Sequence, residues 1–197
     1  KEEIQAESLV RNIGAFSRFL EAISFSHASV LNISNVAREC SVERKTVEGY
    51  VTILEDLMIA YRIPTFQKKV KRHIVTHPKF YFFDVSLFKV LRPSGPLDDI
   101  GSIEGSAIEG LVIQHIMAWV SYTGGKHKLY YYRTKSGMEV DLILYGEGVF
   151  LAIEVKNSLK VRDEDVKPIL SFINDYPESR GIFLYRGKEH LKKGKVL

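Results

Sequence analysis

Three strand-like runs follow one another in the second half of the chain, and the connections between them are too short to hold a helix. The runs are 128–135, 138–145 and 149–156, and each connection contains glycine. Short connections of this kind favour hairpins between antiparallel strands. We therefore expect this part of the chain to form consecutive antiparallel strands of one sheet.

Helical patterns flank these strands. A nearly apolar helix is predicted at 104–122, a second helix at 163–176, and a further strand at 180–185. A strand that follows a helical crossover usually lies parallel to the strand before the helix. The predicted order is therefore α-β-β-β-α-β, an α/β core with a mixed sheet.

The first half of the chain has mainly helical periodicity. A helix around 16–23 is followed by a short helix with Ser34 as its predicted N-cap. A longer amphipathic helix comes next, with the apolar positions Val47, Tyr50, Val51, Leu54, Leu57 and Met58. The β-like runs 59–66 and 79–83 complete the order of a winged helix-turn-helix.

Turn-forming residues cluster between 91 and 102 and separate these two patterns. We therefore predict an α+β arrangement with a first domain at 1–92 and a second at 93–197. The 197 residues are 45% hydrophobic and 26% charged, which is enough apolar material for a core and excludes a disordered chain.

The cysteine content and the hydropathy of the chain indicate its cellular compartment. The single cysteine, Cys40, has no partner for an internal disulfide, which is typical of a reducing, cytoplasmic environment. The longest nearly apolar stretch, 108–120, is short and is interrupted by Glu109, Gln114 and His115. We therefore expect no membrane-spanning segment.

Basic residues are concentrated in the loop between the two β-like runs, which we call the wing. No acidic residue lies between Asp56 and Asp84. A flexible cationic wing would neutralise phosphates and bind DNA without reading its sequence. The residues predicted to contact DNA are Lys68, Lys69, Lys71 and Arg72 of the wing, and Arg44 and Lys45 of the presumed recognition helix.

Two alternatives to DNA binding remain open for this half. The exposed face of the presumed recognition helix also carries Glu43, Glu48 and Glu55, which a phosphate backbone would repel. The wing is then a solvated loop, or the winged helix docks another protein domain.

The alternation of side chains along the strands places three charged residues on adjoining faces. Asp141 and Glu154 lie 13 residues apart across one hairpin, and Lys156 lies two residues beyond Glu154 on the same face. If the hairpin aligns these faces, two carboxylates and one ammonium share a pocket. The alternative is an exposed Glu154–Lys156 ion pair of little consequence.

Carboxylates held this close together favour a divalent cation, because they otherwise repel each other. Bound Mg²⁺ would polarise a phosphodiester and lower the pKa of a water molecule, while Lys156 would stabilise the developing charge. Glu109 lies on an apolar stripe of the preceding helix, where a carboxylate is costly unless it is paired or bonded to a metal. The predicted metal ligands are therefore Asp141, Glu154 and Glu109.

Four segments carry a resemblance to known proteins: GSAIEGLVIQHI, YYYRTKSGMEVDLIL, LAIEVKNS and GIFLYRG. They resemble the core of the PD-(D/E)XK nuclease superfamily, which has the restriction-endonuclease-like fold. More narrowly, they resemble the C-terminal region of a family of archaeal and bacterial AAA-type ATPases. In that family a P-loop domain precedes a winged helix and a nuclease-like domain of unassigned function.

The resemblance implies that Glu109, Asp141, Glu154 and Lys156 occupy the catalytic positions of the superfamily. It also implies an upstream ATPase domain in the same polypeptide. The chain departs from the superfamily pattern at Val140, which stands where many members have proline. It also lacks a GxxxxGK[ST] motif, so no ATP site is expected within it.

These observations lead to one expected function and one alternative. We expect the C-terminal module of an AAA-type ATPase, with a DNA-binding winged helix and a Mg²⁺-dependent nuclease-like domain. The alternative is a catalytically inactive DNA- or protein-binding assembly module. The oligomeric state is left open by the sequence.

Overall fold

A computed structural model describes residues 12–68, 72–190, 192 and 194–197. Within these ranges the protein is a mixed α+β structure with two sheets. The helices are α1 Ile13–Ser24, α2 Ile33–Cys40, α3 Arg44–Asp56, α4 Val85–Leu91, α5 Ile100–Tyr122 and α6 Asp163–Asp175. The strands are β1 Ser29–Val30, β2 Ala60–Ile63, β3 Lys79–Phe82, β4 His127–Arg133, β5 Glu139–Gly146, β6 Val149–Lys156 and β7 Arg180–Tyr185.

The chain divides into two compact units. The first unit comprises Lys1–Arg62 and Lys79–Asp98, and the second comprises Ile63–Pro78 and Asp99–Leu197. The loop between β2 and β3 therefore belongs to the second unit, although the strands on either side of it belong largely to the first.

The first unit contains α1 to α4 and a sheet with the strand order β1-β3-β2. Its core is apolar, as the helical periodicity predicted for Val47, Val51 and Leu54, which are all buried. The N-cap of α2 is Asn32 rather than Ser34, because the Asn32 side chain accepts a hydrogen bond from the backbone of Asn35 at 3.1 Å. The apolar stripe of α3 ends at Leu54, since α3 stops at Asp56, and Leu57 and Met58 beyond it are exposed.

The second unit is built on a four-stranded sheet with the order β4-β5-β6-β7. The first three strands are antiparallel, and β7 is parallel to β6 after the crossover through α6. The α-β-β-β-α-β order predicted from the sequence is present, with strand boundaries within two residues of those expected. Val140, Ile143 and Ala152 of the sheet pack against Ile169 and Phe172 of α6.

The described residues of the β2–β3 loop, 64–68 and 72–78, pack along β4 instead of projecting as a wing. Phe66 donates its backbone N–H to Tyr131 O at 2.7 Å, and Val75 donates to Arg133 O at 2.8 Å. The Phe66 side chain lies in the core of the second unit and is 1% exposed. Strand β4 is at the edge of the sheet and offers unpaired backbone groups, and an apolar pocket accommodates Phe66. These two features explain why the basic loop is bound to β4.

No helix among the residues that the structure describes is both long enough and apolar enough to cross a bilayer.

Candidate functional site

The β5–β6 hairpin places Asp141 and Glu154 side by side in the second unit. Its ladder runs from Gly146 and Val149 to Leu142 and Ile153, and Asp141 and Glu154 are the next residue of each strand. Both side chains are buried. Burying a carboxylate lowers the stability of a fold unless the carboxylate is hydrogen bonded or paired with a cation.

Asp141 is tied to the backbone of β6. Its Oδ2 atom accepts a hydrogen bond from the backbone N–H of Val155 at 2.9 Å. This bond lies just beyond the last regular pair of the ladder, so the carboxylate satisfies a buried donor where the two strands stop pairing.

Glu154 has one paired oxygen and one without a hydrogen-bond partner. Its Oε1 atom lies 2.8 Å from the Nζ atom of Lys156, whose side chain is 40% exposed. Its Oε2 atom is buried and accepts no hydrogen bond from the residues that the structure describes. Only one of the two carboxylate oxygens of Glu154 therefore has a partner among the described residues.

The charges around Glu154 act on its protonation. Burial, followed by the nearby charge of Asp141 and a smaller effect of Glu109, raises the pKa of Glu154 to about 8, against the lowering effect of Lys156. Burial lowers the pKa of Lys156, but Glu154, Asp141 and Glu109 outweigh it and raise that pKa above its usual value. Asp141, Lys156 and Glu109 therefore all lie within electrostatic reach of Glu154.

The two buried carboxylates suit a divalent cation. A cation would satisfy the unpartnered Glu154 Oε2 and relieve the repulsion between Glu154 and Asp141. Mg²⁺ is commonly bound by one or two carboxylates and keeps several of its water ligands. Among the described residues, no three carboxylate, histidine or cysteine side chains are grouped closely enough to hold a metal ion together.

Two cavities lie at the carboxyl ends of β6 and β7, and the first of them is lined by Lys156 of this site. One of about 580 Å³ begins at Lys156 and is lined by residues 157–162 and Asp165. The other, of about 610 Å³, lies among α6, β7 and the last residues of the chain, and Val161 lines both cavities. The candidate carboxylates therefore have open space beside their lysine.

The residues predicted to contact DNA are divided between the two units. In the first unit, Arg44 and Lys45 are exposed on α3, and Arg44 Nε lies 3.0 Å from Glu48 Oε1. In the second unit, Lys68 Nζ lies 4.1 Å from the ring centroid of Tyr145. Lys69 and Lys71 lie outside the described residues.

Arg72 is not a free cation of a projecting wing. Its guanidinium pairs with Asp175 of α6, with Nε 2.5 Å from Oδ2, and also contacts Ser171 Oγ at 3.1 Å. The pairing arises because the β2–β3 loop is part of the second unit, where an acidic side chain of α6 is within reach.

Sequence reasoning missed two cations that line the first cavity, Lys160 and Arg162, and a third, Arg186, that is hydrogen bonded to a lining residue. Lys160 and Arg162 follow β6, and Arg186 follows β7. Arg186 Nη1 donates to Asn157 Oδ1 at 3.2 Å, and Asn157 Nδ2 donates to Glu104 Oε2 at 3.3 Å. Their position just after two parallel strands was the signal that could have identified them.

Both halves of the chain match families of unknown function. Residues 1–98 match the family described as Domain of unknown function (DUF8612), and residues 104–197 match Domain of unknown function (DUF4143). The chain thus matches two domain families of unknown function, and the second family is known as a C-terminal region associated with ATPases.

Two curated relatives are likewise uncharacterised. The chain is 24% identical over 137 residues to Uncharacterized protein Rv2008c of Mycobacterium tuberculosis and to Uncharacterized protein Mb2031c of Mycobacterium bovis. The aligned stretch covers 67% of this chain and 30% of each relative, so the chain spans about a third of their length. No solved structure matches the chain.

Proposed function

We propose that this chain is the C-terminal module of an AAA-type ATPase, with a restriction-endonuclease-like domain that cleaves phosphodiester bonds of DNA with the help of Mg²⁺. The observation that carries the proposal is the buried Asp141–Glu154 pair with the Lys156 ammonium 2.8 Å from Glu154 Oε1. The α-β-β-β-α-β order of the second unit and the ATPase-associated region support the same assignment.

Each of the four residues has a role in this proposal. Asp141 and Glu154 hold the cation, and the hydrogen bond from Val155 keeps Asp141 in place. Bound Mg²⁺ supplies polarisation of the phosphate and a lowered pKa for water. Lys156 exchanges its bond to Glu154 for one to a phosphate oxygen, and Glu109 adds negative charge that favours cation binding.

The first unit is proposed to be a winged helix-turn-helix that holds DNA through α3. The supporting features are the order of its helices and strands and the exposed Arg44 and Lys45. The Arg44–Glu48 pair is exposed on both sides, and such pairs contribute little to stability. A phosphate can therefore replace Glu48 as the partner of Arg44.

Nicking of supercoiled plasmid tests the cleavage proposal. We expect the purified chain to nick plasmid with Mg²⁺ or Mn²⁺ and to stop in EDTA. Asp141→Asn keeps an oxygen for the Val155 N–H but loses the charge, and we expect it to lower the nicking rate by about 100-fold. Glu147→Gln, in an exposed turn, is the matched control and should nick at the parent rate.

Absence of nicking by the pure parent chain, or equal nicking by Asp141→Asn, would refute cleavage. In that case the second candidate applies, a non-catalytic module that binds DNA or another part of the ATPase. It is favoured by one observation, namely that the Lys156 ammonium already occupies Glu154 Oε1.

Thermal unfolding with and without Mg²⁺ separates the two candidates. A cation bound only by the folded chain raises its stability, by about 2.7 kcal/mol at 100 times the Kd. The nuclease proposal expects this gain for the parent and not for Glu154→Gln. The non-catalytic candidate expects no gain for either protein.

A further inference from the structure

The carboxyl ends of two parallel strands meet directly beside the candidate site. Lys156 and Tyr185 form the last pair between β6 and β7, and Arg186 then donates its backbone N–H to Ser158 O at 2.9 Å. In sheets with parallel strands, ligands characteristically bind in the crevice outside these ends. The cavity of about 580 Å³ opens at this position.

The lining of this cavity carries a positive balance of charge. Its cations are Lys156, Lys160 and Arg162, and its single acid is Asp165. The Asp165 carboxylate is already engaged, because its Oδ2 atom accepts a hydrogen bond from the Arg162 backbone at 2.9 Å. The net charge of the lining therefore favours an anionic ligand.

The cations at this edge are accessible to a ligand. Lys160, Arg162 and Arg186 are all exposed. Arg162 pairs with Glu164 at 3.4 Å, but the side chains are 77% and 64% exposed, so a phosphate can displace the glutamate at little cost. Arg186 is oriented by Asn157, which is itself hydrogen bonded to Glu104.

We propose that this cleft binds the phosphate backbone of a DNA strand next to the phosphodiester presented to Lys156. Lys160 and Arg162 contact phosphates within the cleft, and Arg186 contacts the backbone at its rim. Such contacts fix the position of the strand and carry no information about its sequence. The inference rests on the proposed function, since it takes the substrate of that site to be DNA.

Binding of a short fluorescein-labelled duplex, followed by fluorescence anisotropy across a KCl series, tests the cleft. EDTA is present throughout, so binding is measured without cleavage. We expect Lys160→Ala/Arg162→Ala to raise the Kd about tenfold. The slope of log Kd against log salt should fall by about 2, which is about 1 for each lost phosphate contact.

A charge-matched control uses the opposite end of the same sheet. Lys128 and Arg180 are exposed there, where β4 and β7 begin. Lys128→Ala/Arg180→Ala removes the same charge and should keep the Kd and the salt slope of the parent. An equal loss in both double variants, no loss in the cleft variant, or no binding by the parent would overturn the proposal.

Two further measurements distinguish this proposal from a general effect of salt and from the nuclease proposal. Inorganic phosphate should displace the duplex more effectively than chloride of equal ionic strength, because it binds the same cations. Equal displacement by the two salts would show that the cleft does not recognise phosphate and would overturn the proposal. If cleavage fails while the cleft variant still binds DNA more weakly than the control, the nuclease proposal fails and the cleft proposal stands.

Discussion

Asp141 and Glu154 lie on adjacent strands but differ in how their charges are satisfied. Asp141 accepts a hydrogen bond from Val155, whereas Glu154 has one oxygen on Lys156 and one buried oxygen without a hydrogen-bond partner among the described residues. The two carboxylates therefore respond differently to substitution.

Glu154 makes the stability of the metal-free chain depend on pH. Its pKa is about 8 in the folded chain, against 4.5 without the fold, so the folded state holds a proton that the unfolded state releases. Stability that this proton provides is present below pH 4.5 and is lost as pH rises towards 8. We expect a contribution of up to about 1 kcal/mol per pH unit in that window.

Urea unfolding of the parent and of Glu154→Gln at several pH values, in EDTA, measures this effect. The glutamine variant cannot lose a proton, so its stability should decline less between pH 5 and 9 and exceed that of the parent at the alkaline end. Parallel pH profiles for the two proteins would show that Glu154 does not titrate in this way.

Asp141 has a structural role that is separable from its charge. Asp141→Ala leaves the Val155 N–H buried without its acceptor, which we expect to lower the free energy of unfolding by about 1–3 kcal/mol. Asp141→Asn retains an acceptor oxygen and should recover most of that loss. Equal destabilisation by alanine and asparagine in urea unfolding would mean that the hydrogen bond is not the cause.

At the scale of the secondary-structure element, the β2–β3 loop contributes Phe66 to the core of the second unit. Phe66 lies amid aromatic rings, with centroid distances of 5.4 Å to Phe150 and Tyr176 and 5.5 Å to Tyr145. Arg72 adds its ion pair with Asp175 near the other end of the loop. Apolar burial at Phe66 therefore outweighs the tendency of a basic segment to stay in solvent.

Removing the Phe66 ring tests this account. Phe66→Ala empties a fully buried position, and we expect a loss of about 3–5 kcal/mol in the free energy of unfolding. Phe83→Ala, at a position 44% exposed, serves as the control and should cost less than about 1 kcal/mol. If Phe66→Ala cost no more than Phe83→Ala, the loop would not be anchored by its aromatic residue.

At the scale of the whole molecule, the second unit is assembled from two separate stretches of chain. Ile63–Pro78 is contributed from within the first half, and Asp99–Leu197 follows the turn-rich break. The first stretch covers the outer edge of β4 and fills the core with Phe66. The second stretch is consequently incomplete without the first.

A fragment comparison follows from this connectivity. Residues 99–197 expressed alone should lack a cooperative thermal transition, because β4 has an open edge and the core lacks one large ring. The same fragment with residues 63–78 attached through a Gly/Ser linker should regain the transition in circular dichroism. A matched fusion that carries Phe66→Ala should regain much less of it.

Cooperative unfolding of residues 99–197 without the loop would contradict this expectation. It would favour the simpler division at 92/93 that the turn-forming residues predict.

Much of the second unit was predictable because its signals are local. Glycine-bearing turns and alternating side chains define β5 and β6, and β6 and β7 have the boundaries that the sequence predicted. The same alternation predicted that Asp141, Glu154 and Lys156 share a site, since a short hairpin fixes the register of its two strands. The N-cap of α2 was wrong by two residues because Asn32 and Ser34 are both good capping residues.

The placement of the basic residues depends on contacts between distant parts of the chain. Arg72 and Asp175 are 103 residues apart, so no local pattern predicts their ion pair. Local periodicity thus set the helices, the hairpins and the pair of buried carboxylates. Long-range packing decided that the basic loop lies on β4 and that cations meet where β6 and β7 end, because side chains with no sequence proximity come together only when the sheet is complete.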